Sequence, residues 1–331
     1  MTDDKKQMPR ISVITSVFNG QAFLNEAVQS VLGQTFADFE LLIYDDGSTD
    51  ASGRMLAEFA RRDPRVRHIT QENTGLTRTL NRGLHEATGE YVARMDADDI
   101  CYPERFAEQV DFLDANPGVV LLGTGYRYVD GAGRPIRSFV AHADDGELQA
   151  QSLAGRTPVC HPTAMFRREA AVRLGGYDEQ YRTAQDLDLW LRLGEVGEMA
   201  ILPSVLLDYR QHDGSVSERR QREQMANIAQ ICRSAYERRG LHRTFDLAED
   251  WRPTCTASKY RQLAMFGWWA FQEGYSSTAR AYGLKLIRRK PRRAEGWIML
   301  AKSVLPARTQ SPPLDTLADK PVPQKSADLT M

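Results

Sequence analysis

Residues 11–17, Ile-Ser-Val-Ile-Thr-Ser-Val, form a β-branched run that stops at Asn19-Gly20, which predicts a buried first strand ending in a turn. Phe23, Leu24, Ala27, Val28, Val31 and Leu32 then recur at helical spacing. Phe39–Tyr44 predicts a second strand running into Asp45-Asp46-Gly47-Ser48-Thr49-Asp50, where Ser48 or Asp50 can cap a helix carrying Met55, Leu56 and Phe59. Val66–Thr70 predicts a third strand, and Leu76, Leu80, Leu84 and Ala87 mark a helix closed by Gly89. A fourth apolar run from Tyr91 ends in Asp96-Ala97-Asp98-Asp99. Strand and helix alternating in this rhythm predict an α/β fold with a parallel sheet covered on both faces.

After Pro103 the pattern predicts a helix through Phe106, Val110 and Leu113, then a strand at Val119–Leu122. Residues 130–146, rich in Gly, Asp and Pro, read as a loop or insertion. Pro158–Phe166 reads as a strand, Ala170–Leu174 as a short helix stopped by Gly175-Gly176, Ala184–Leu193 as a helix, and Leu202–Asp208 as a last strand. From about residue 216 the character changes: residues 205–305 hold 19 Lys and Arg against 10 Asp and Glu. There Phe266, Gly267, Trp268, Ala270, Gly274, Ala279, Tyr282, Leu286 and Pro291 resemble one tetratricopeptide-type hairpin. One copy makes no array, so these helices are expected to pack on the main domain. The expected organisation is a main domain over 1–215, a basic helical region over 216–305, and a disordered tail over 306–331 with five prolines.

The composition, 42% hydrophobic and 26% charged over 331 residues, is that of a soluble globular protein. A net charge of −1 gives no overall pull towards nucleic acid. Cys101, Cys160, Cys232 and Cys255 lack C-x-x-C spacing and read as reduced thiols. The opening Met-Thr-Asp-Asp-Lys-Lys-Gln has no apolar core for a secretory signal, and no run reaches membrane-spanning length. A cytoplasmic protein is expected, with attachment to the inner face of a membrane left open.

The acidic tip at 96–99 carries the first chemical signal. Alternate residues of an extended segment face the same way, so Asp96 and Asp98 can address one point. Adjacent carboxylates repel, and a cation relieves that cost. Hard oxygen ligands suit Mg²⁺ or Mn²⁺. The alternative is a solvated turn in which Asp98 or Asp99 caps the following helix.

Four segments line up near strand ends: Ser16-Val17-Phe18-Asn19, Asp45–Ser48, Asp96–Asp99 and Gln185-Asp186. With Ser30–Phe36, Phe39-Glu40-Leu41, Asn73–Leu76, Gly175–Asp178 and Tyr209-Arg210-Gln211-His212, the chain over about residues 9–216 resembles the GT-A glycosyltransferases of family 2. The resemblance implies a Rossmann-like three-layer α/β/α sandwich with a mostly parallel sheet. It implies donor binding by Ser16, Phe18, Asp46 and Asp96, with Phe18 standing where the family often has Tyr. Asp98 and His212 would hold Mg²⁺ or Mn²⁺, Tyr177 would lie on the acceptor side, and Asp186 would be the general base. Asp99 is then expected to cap a helix and Asp188 to point elsewhere. Gln185 stands where the family commonly has Glu, which removes one like charge beside the base.

The implied reaction is metal-dependent, inverting transfer of a sugar from a nucleotide-diphosphate sugar to a glycan or lipid-linked acceptor in cell-surface polysaccharide biosynthesis. The rivals are a silent nucleotide-sugar-binding protein and a nucleotidyltransferase; the latter wants a basic phosphate loop, and Ser16–Gln21 has no Lys or Arg. Trp268, Trp269 and Phe271 with Lys285, Arg288, Arg289, Lys290, Arg292 and Arg293 also suggest peripheral membrane association, against the alternative of a helical core with a solvated basic face.

Overall fold

A computed structural model describes residues 8–212, 221–242, 245 and 259–304, so the expected tail and Cys255 lie outside the described residues. The chain divides into two compact units, Met1–Ser258 and Lys259–Met331.

The first unit opens with the predicted alternation: β1 (Ile11–Val17), α1 (Leu24–Leu32), β2 (Phe39–Asp46), α2 (Ser52–Arg62), β3 (Val66–Gln71), α3 (Leu76–Glu86) and β4 (Tyr91–Arg94). It continues through β5 (Ile100–Cys101), α4 (Arg105–Ala115), β6 (Val119–Asp130), β7 (Pro135–Phe139), α5 (Asp145–Leu153), β8 (Met165–Arg167), α6 (Arg168–Arg173), α7 (Gln185–Leu193), β9 (Glu198–Gln211) and α8 (Gln221–Arg238). The sheet runs β3-β2-β1-β4-β8-β6-β9-β5, with β7 paired to β6. Its first four strands are parallel; β8 is antiparallel to β4 and β6, and β9 is parallel to β6.

Strand alternation gives the sheet two apolar faces. Ile11, Val13, Val17, Leu41 and Ile43 pack with Leu24, Val28, Leu56, Phe106 and Leu113 from α1, α2 and α4. Ile14, Leu42 and Tyr44 face the other way, with Leu80, Leu84, Leu148, Ala170 and Trp190 from α3, α5, α6 and α7. The result is three layers, α/β/α. Helix α8 adds Ile228, Ile231, Cys232 and Ala235 against Leu187 and Leu191 of α7.

Several local expectations are corrected. Part of the expected loop 130–146 is β7, which pairs Phe139 with Tyr126 and Arg137 with Tyr128. The expected strand 158–166 is interrupted by a 3₁₀ turn, His161–Thr163, with Pro162 in its first positions. The last strand begins at Glu198, four residues early. Its pairing slips between Leu202 and Val205, around Pro203, which has no N–H to give a ladder. The helix expected from Ser48 or Asp50 has Ala51 at its N-cap, although Asp50 Oδ1 accepts from Ser52 N at 2.9 Å.

In the second unit α9 (Lys259–Gln272), α10 (Ser276–Arg289) and α11 (Ala294–Val304) pack on one another around Ala264, Ala270, Ala279, Tyr282, Leu286 and Met299. Gly267 permits the close approach, because a Cβ there would collide with Met299 and lie 2.9 Å from Tyr282 Cβ.

Candidate active site

Parallel pairing brings the C-terminal ends of β1, β2 and β4 together, at the edge where open α/β sheets bind ligands. Ser16 is half-buried beside its register partner Tyr44, and Phe18 just beyond it is 56% exposed. The two loops leaving β1 and β2 are stitched together. Asn19 N donates to Ser48 Oγ at 2.9 Å, Thr49 N to Asn19 Oδ1 at 2.8 Å, Gly20 N to Ser52 Oγ at 2.9 Å, and Ala51 N to Gln21 Oε1 at 3.0 Å. Gly47, at φ +80°, makes the turn between them, where a side chain would press on Asn73.

Asp45 and Asp46 end β2 facing opposite ways. Asp45 Oδ1 accepts from Ser48 N at 2.9 Å. Asp46 is buried and anchors the segment after β3: it accepts from Gln71 Nε2 and Thr74 N, both at 2.8 Å, and from Gly75 N at 2.9 Å.

One strand over, Asp96, Asp98 and Asp99 bring carboxylate oxygens within 4.8 Å of one another. Asp96 pairs with Arg94, whose guanidinium is buried beneath the strand end. Asp98 Oδ2 lies 2.8 Å from His212 Nε2. Asp99 is buried; one oxygen accepts from Arg210 N at 2.8 Å, and the other has no hydrogen bond. Asp99 therefore caps no helix: β5 follows it, and α4 starts only at Arg105. Arg210 braces the cluster from below, donating to the Asp98 carbonyl at 2.8 Å and to Glu26 at 2.6 Å. The Phe23 ring lies 4.7 Å from the Arg210 guanidinium and 4.9 Å from the His212 ring.

Crowding shows in the acidities. Burial, then the charges of Asp98 and Asp96, push Asp99 well above the ordinary carboxylate range. Asp96 is also raised, by burial and Asp98, although Arg94 opposes.

The start of α7 carries the remaining predicted residue. Ala184 sits at φ +61°, a strained conformation for a residue with a Cβ, and Asp186 follows in the first helical turn, half-buried. Helix α8 clamps this entry, since Asn227 Nδ2 donates to Thr183 O at 3.1 Å and to Thr183 Oγ1 at 3.0 Å. Asp188 points elsewhere, taken up by Arg192 Nε at 2.9 Å. Under the helix, buried Trp190 donates to Val159 O at 3.1 Å. Tyr177 is buried too, its hydroxyl 3.0 Å from His161 Nε2. Burial, and after it Arg94, lowers His161 well below the usual imidazole value, so the ring is neutral. Burial raises the Cys160 thiol and the Tyr177 phenol, and the charges of both Asp96 and Asp186 raise them further. Asp96 and Asp186 are thus each within electrostatic reach of Cys160 and Tyr177.

Arg94, Arg210, His161 and Asn227 were given no role by the sequence pattern, although Arg94 lay in the run that ends at the acidic tip and Arg210 in Tyr209–His212.

A family profile described as Glycosyl transferase family 2 matches residues 12–175. The amylovoran biosynthesis glycosyltransferase AmsE of Erwinia amylovora is 32% identical over 213 residues, 63% of this chain and 79% of AmsE. The chain belongs to glycosyltransferase family 2.

Two solved structures share the GT-A fold of this family 2 chain. One is S. aureus TarS 1-349 in complex with UDP-GlcNAc, at TM-score 0.57 and 17% identity over 89% of this chain and 88% of that one. The other is the mannosyltransferase PcManGT from Pyrobaculum calidifontis with GDP-Man and Mn²⁺, at TM-score 0.53 and 24% identity over 90% of this chain and 86% of that one.

Proposed function

We propose that this family 2 glycosyltransferase moves one sugar from a nucleotide-diphosphate sugar to a hydroxyl of a glycan or lipid-linked acceptor, with inversion, in cell-surface polysaccharide biosynthesis. The observation that supports the reading is the crowded carboxylate cluster Asp96, Asp98 and Asp99 at the strand end, with Asp186 acting electrostatically on the same buried groups, Cys160 and Tyr177, as Asp96 does. AmsE, named for amylovoran biosynthesis, supports the polysaccharide setting. The UDP-GlcNAc and GDP-Man complexes of TarS and PcManGT support a nucleotide-sugar donor.

Ser16 and exposed Phe18 offer the donor's base a polar edge and a ring to stack on. Asp46, bonded to Gln71, Thr74 and Gly75, fixes the loop behind that base, and Asp96 is the ribose contact. Asp98 and His212, with the unsatisfied Asp99 oxygen behind them, are a donor set that fits Mg²⁺ or Mn²⁺. When bound, that cation supplies charge compensation for the departing diphosphate.

Asp186 takes the proton of the acceptor hydroxyl as its oxygen attacks the anomeric carbon from the face opposite the diphosphate. The bond to the diphosphate oxygen breaks with its electron pair, and the proton stays on the carboxylate. A single displacement inverts the centre. Tyr177, held by His161 beneath the pocket, shapes the acceptor side. The free thiols of Cys101, Cys160 and Cys232 support action in a reducing, cytoplasmic compartment.

The test is a screen of the full chain with UDP-, dTDP- and GDP-sugars, with and without Mn²⁺, followed by the anomeric configuration of the product by NMR. Metal-dependent turnover that disappears in Asp186→Asn while donor binding persists is the expected result. Donor binding with no hydrolysis or transfer under any condition would leave only the binding-protein reading standing.

A further inference from the structure

The second unit carries a charge that the whole-chain balance hides. Of the 43 Lys and Arg, ten fall within residues 259–304, against only two of the 44 Asp and Glu. Five of the ten stand together on the turn between α10 and α11: Arg288, Arg289, Lys290, Arg292 and Arg293, all exposed. None of them forms an ion pair among the described residues. Lys290 and Arg293 instead lie 5.5 and 5.1 Å from the centre of the Tyr260 ring, which gathers them on one side of the turn.

Trp297 folds back onto this turn. Its indole N–H donates to Pro291 O at 2.9 Å, yet the residue stays 52% exposed, and its neighbour Ile298 is 47% exposed. The indole has its one polar group satisfied and an apolar face open, directly against a cationic turn. Trp268, Trp269 and Phe271 are half-buried among the helices, in line with the helical-core alternative. The exposed aromatic is one the sequence pattern did not single out.

We propose that the α10–α11 turn docks this protein on the surface of an anionic phospholipid bilayer, with the five cations on the headgroup phosphates and Trp297 and Ile298 at the apolar boundary. A cluster of cations beside an exposed indole and an aliphatic side chain is the composition that settles at a membrane interface. A nucleic acid would use the cations alone and leave Ile298 without purpose. No helix among the described residues is long and apolar enough to cross a membrane, so the attachment is peripheral. The inference is independent of the transferase reading.

The experiment is sedimentation of the full chain with vesicles containing phosphatidylglycerol or made of phosphatidylcholine alone. Each cation near an anionic surface contributes about fivefold in affinity. Arg288→Glu/Arg289→Glu should therefore weaken binding to the anionic vesicles by well over about tenfold. Arg61→Glu/Arg62→Glu, the same charge change on exposed arginines of α2, should leave it unchanged. Trp297→Ala should weaken binding several-fold, and Trp fluorescence of the wild type should shift to the blue on vesicle addition. Arg288→Gln/Arg289→Gln, the milder pair, and a salt titration of the wild type cover the case in which the reversal variant misfolds; both should weaken binding. Equal binding to the two kinds of vesicle, indifference to the α10–α11 substitutions, or capture of a DNA duplex without vesicle binding would each overturn the proposal.

Discussion

The two ends of the same parallel strands treat their carboxylates in opposite ways. Where the strands begin, Arg10 bridges Glu90 at 3.0 Å and Asp114 at 2.7 Å, and Tyr91 donates to Asp114 at 2.7 Å. Ser12 and Thr88 hydroxyls each donate to Glu40 at 2.7 Å. The Tyr91 hydrogen bond, helped by Arg10, holds Asp114 below the ordinary carboxylate range. Burial works against Glu40, but the hydrogen bonds from Thr88 and Ser12 outweigh it and hold that group low as well. Where the strands end, Asp96 and Asp99 are pushed up by burial and by the charge of Asp98 beside them. One end is a closed network that stabilises the fold; the other keeps an excess of negative charge. Perturbed carboxylates gathered at a cleft are how a site prepares for an incoming positive group.

The contrast breaks most sharply at Asp186. Asp186→Asn should lower transfer about 10²- to 10⁴-fold with an unchanged melting curve, measured by turnover and calorimetry side by side. An equal loss of stability would mean the residue belongs with the structural set. Next, Mn²⁺ with nucleotide at about a hundred times Kd should raise wild-type stability by about 2.7 kcal/mol. Asp98→Ala should abolish that rise, and EDTA should reverse it in the wild type. At the other end, Glu40→Ala leaves the Ser12 and Thr88 donors unpaired and should cost about 1–3 kcal/mol in urea unfolding with no change in nucleotide affinity.

The pH response sharpens the same contrast. The unfolded chain protonates its carboxylates near the ordinary value of about 4. Folded Glu40 and Asp114 resist protonation until lower pH, so acid favours the unfolded chain. Their contribution is full above the ordinary range and is lost as pH falls through their depressed folded values. Asp96 and Asp99, raised on folding, act in the reverse sense and cease to cost stability once protonated. Asp99→Asn should accordingly be the mildest change, neutral or stabilising by at most about 1 kcal/mol at pH 7, or about 2–4 °C in Tm.

Much of this was legible in the sequence because it is local. Residues 11–17 and 39–46 are continuous apolar runs, and a run with a polar stop reads as a buried strand without further help. The acidic tip was legible through the motif around it. What was not legible depends on distant partners. Arg94, Arg105 and Arg210 are ordinary surface residues by type, yet all three are buried, their guanidinium groups held by carbonyls and side chains from other elements. β7 hid among Gly and Pro, and the start of β9 lay ahead of the expected Leu202, in residues 198–201. Asp99 looked like a cap because only the β5–β9 pairing reveals the strand that follows it.

The hydrogen bonds between residues 19–21 and 48–52 make a single cassette of two loops that are far apart in the chain. A designer wishing to reshape this edge of the sheet gains nothing by exchanging one loop alone, because its partner would be left with amides and side-chain oxygens of the wrong spacing. Both must be grafted from the same parent, and drift in either loop during evolution is checked by the other.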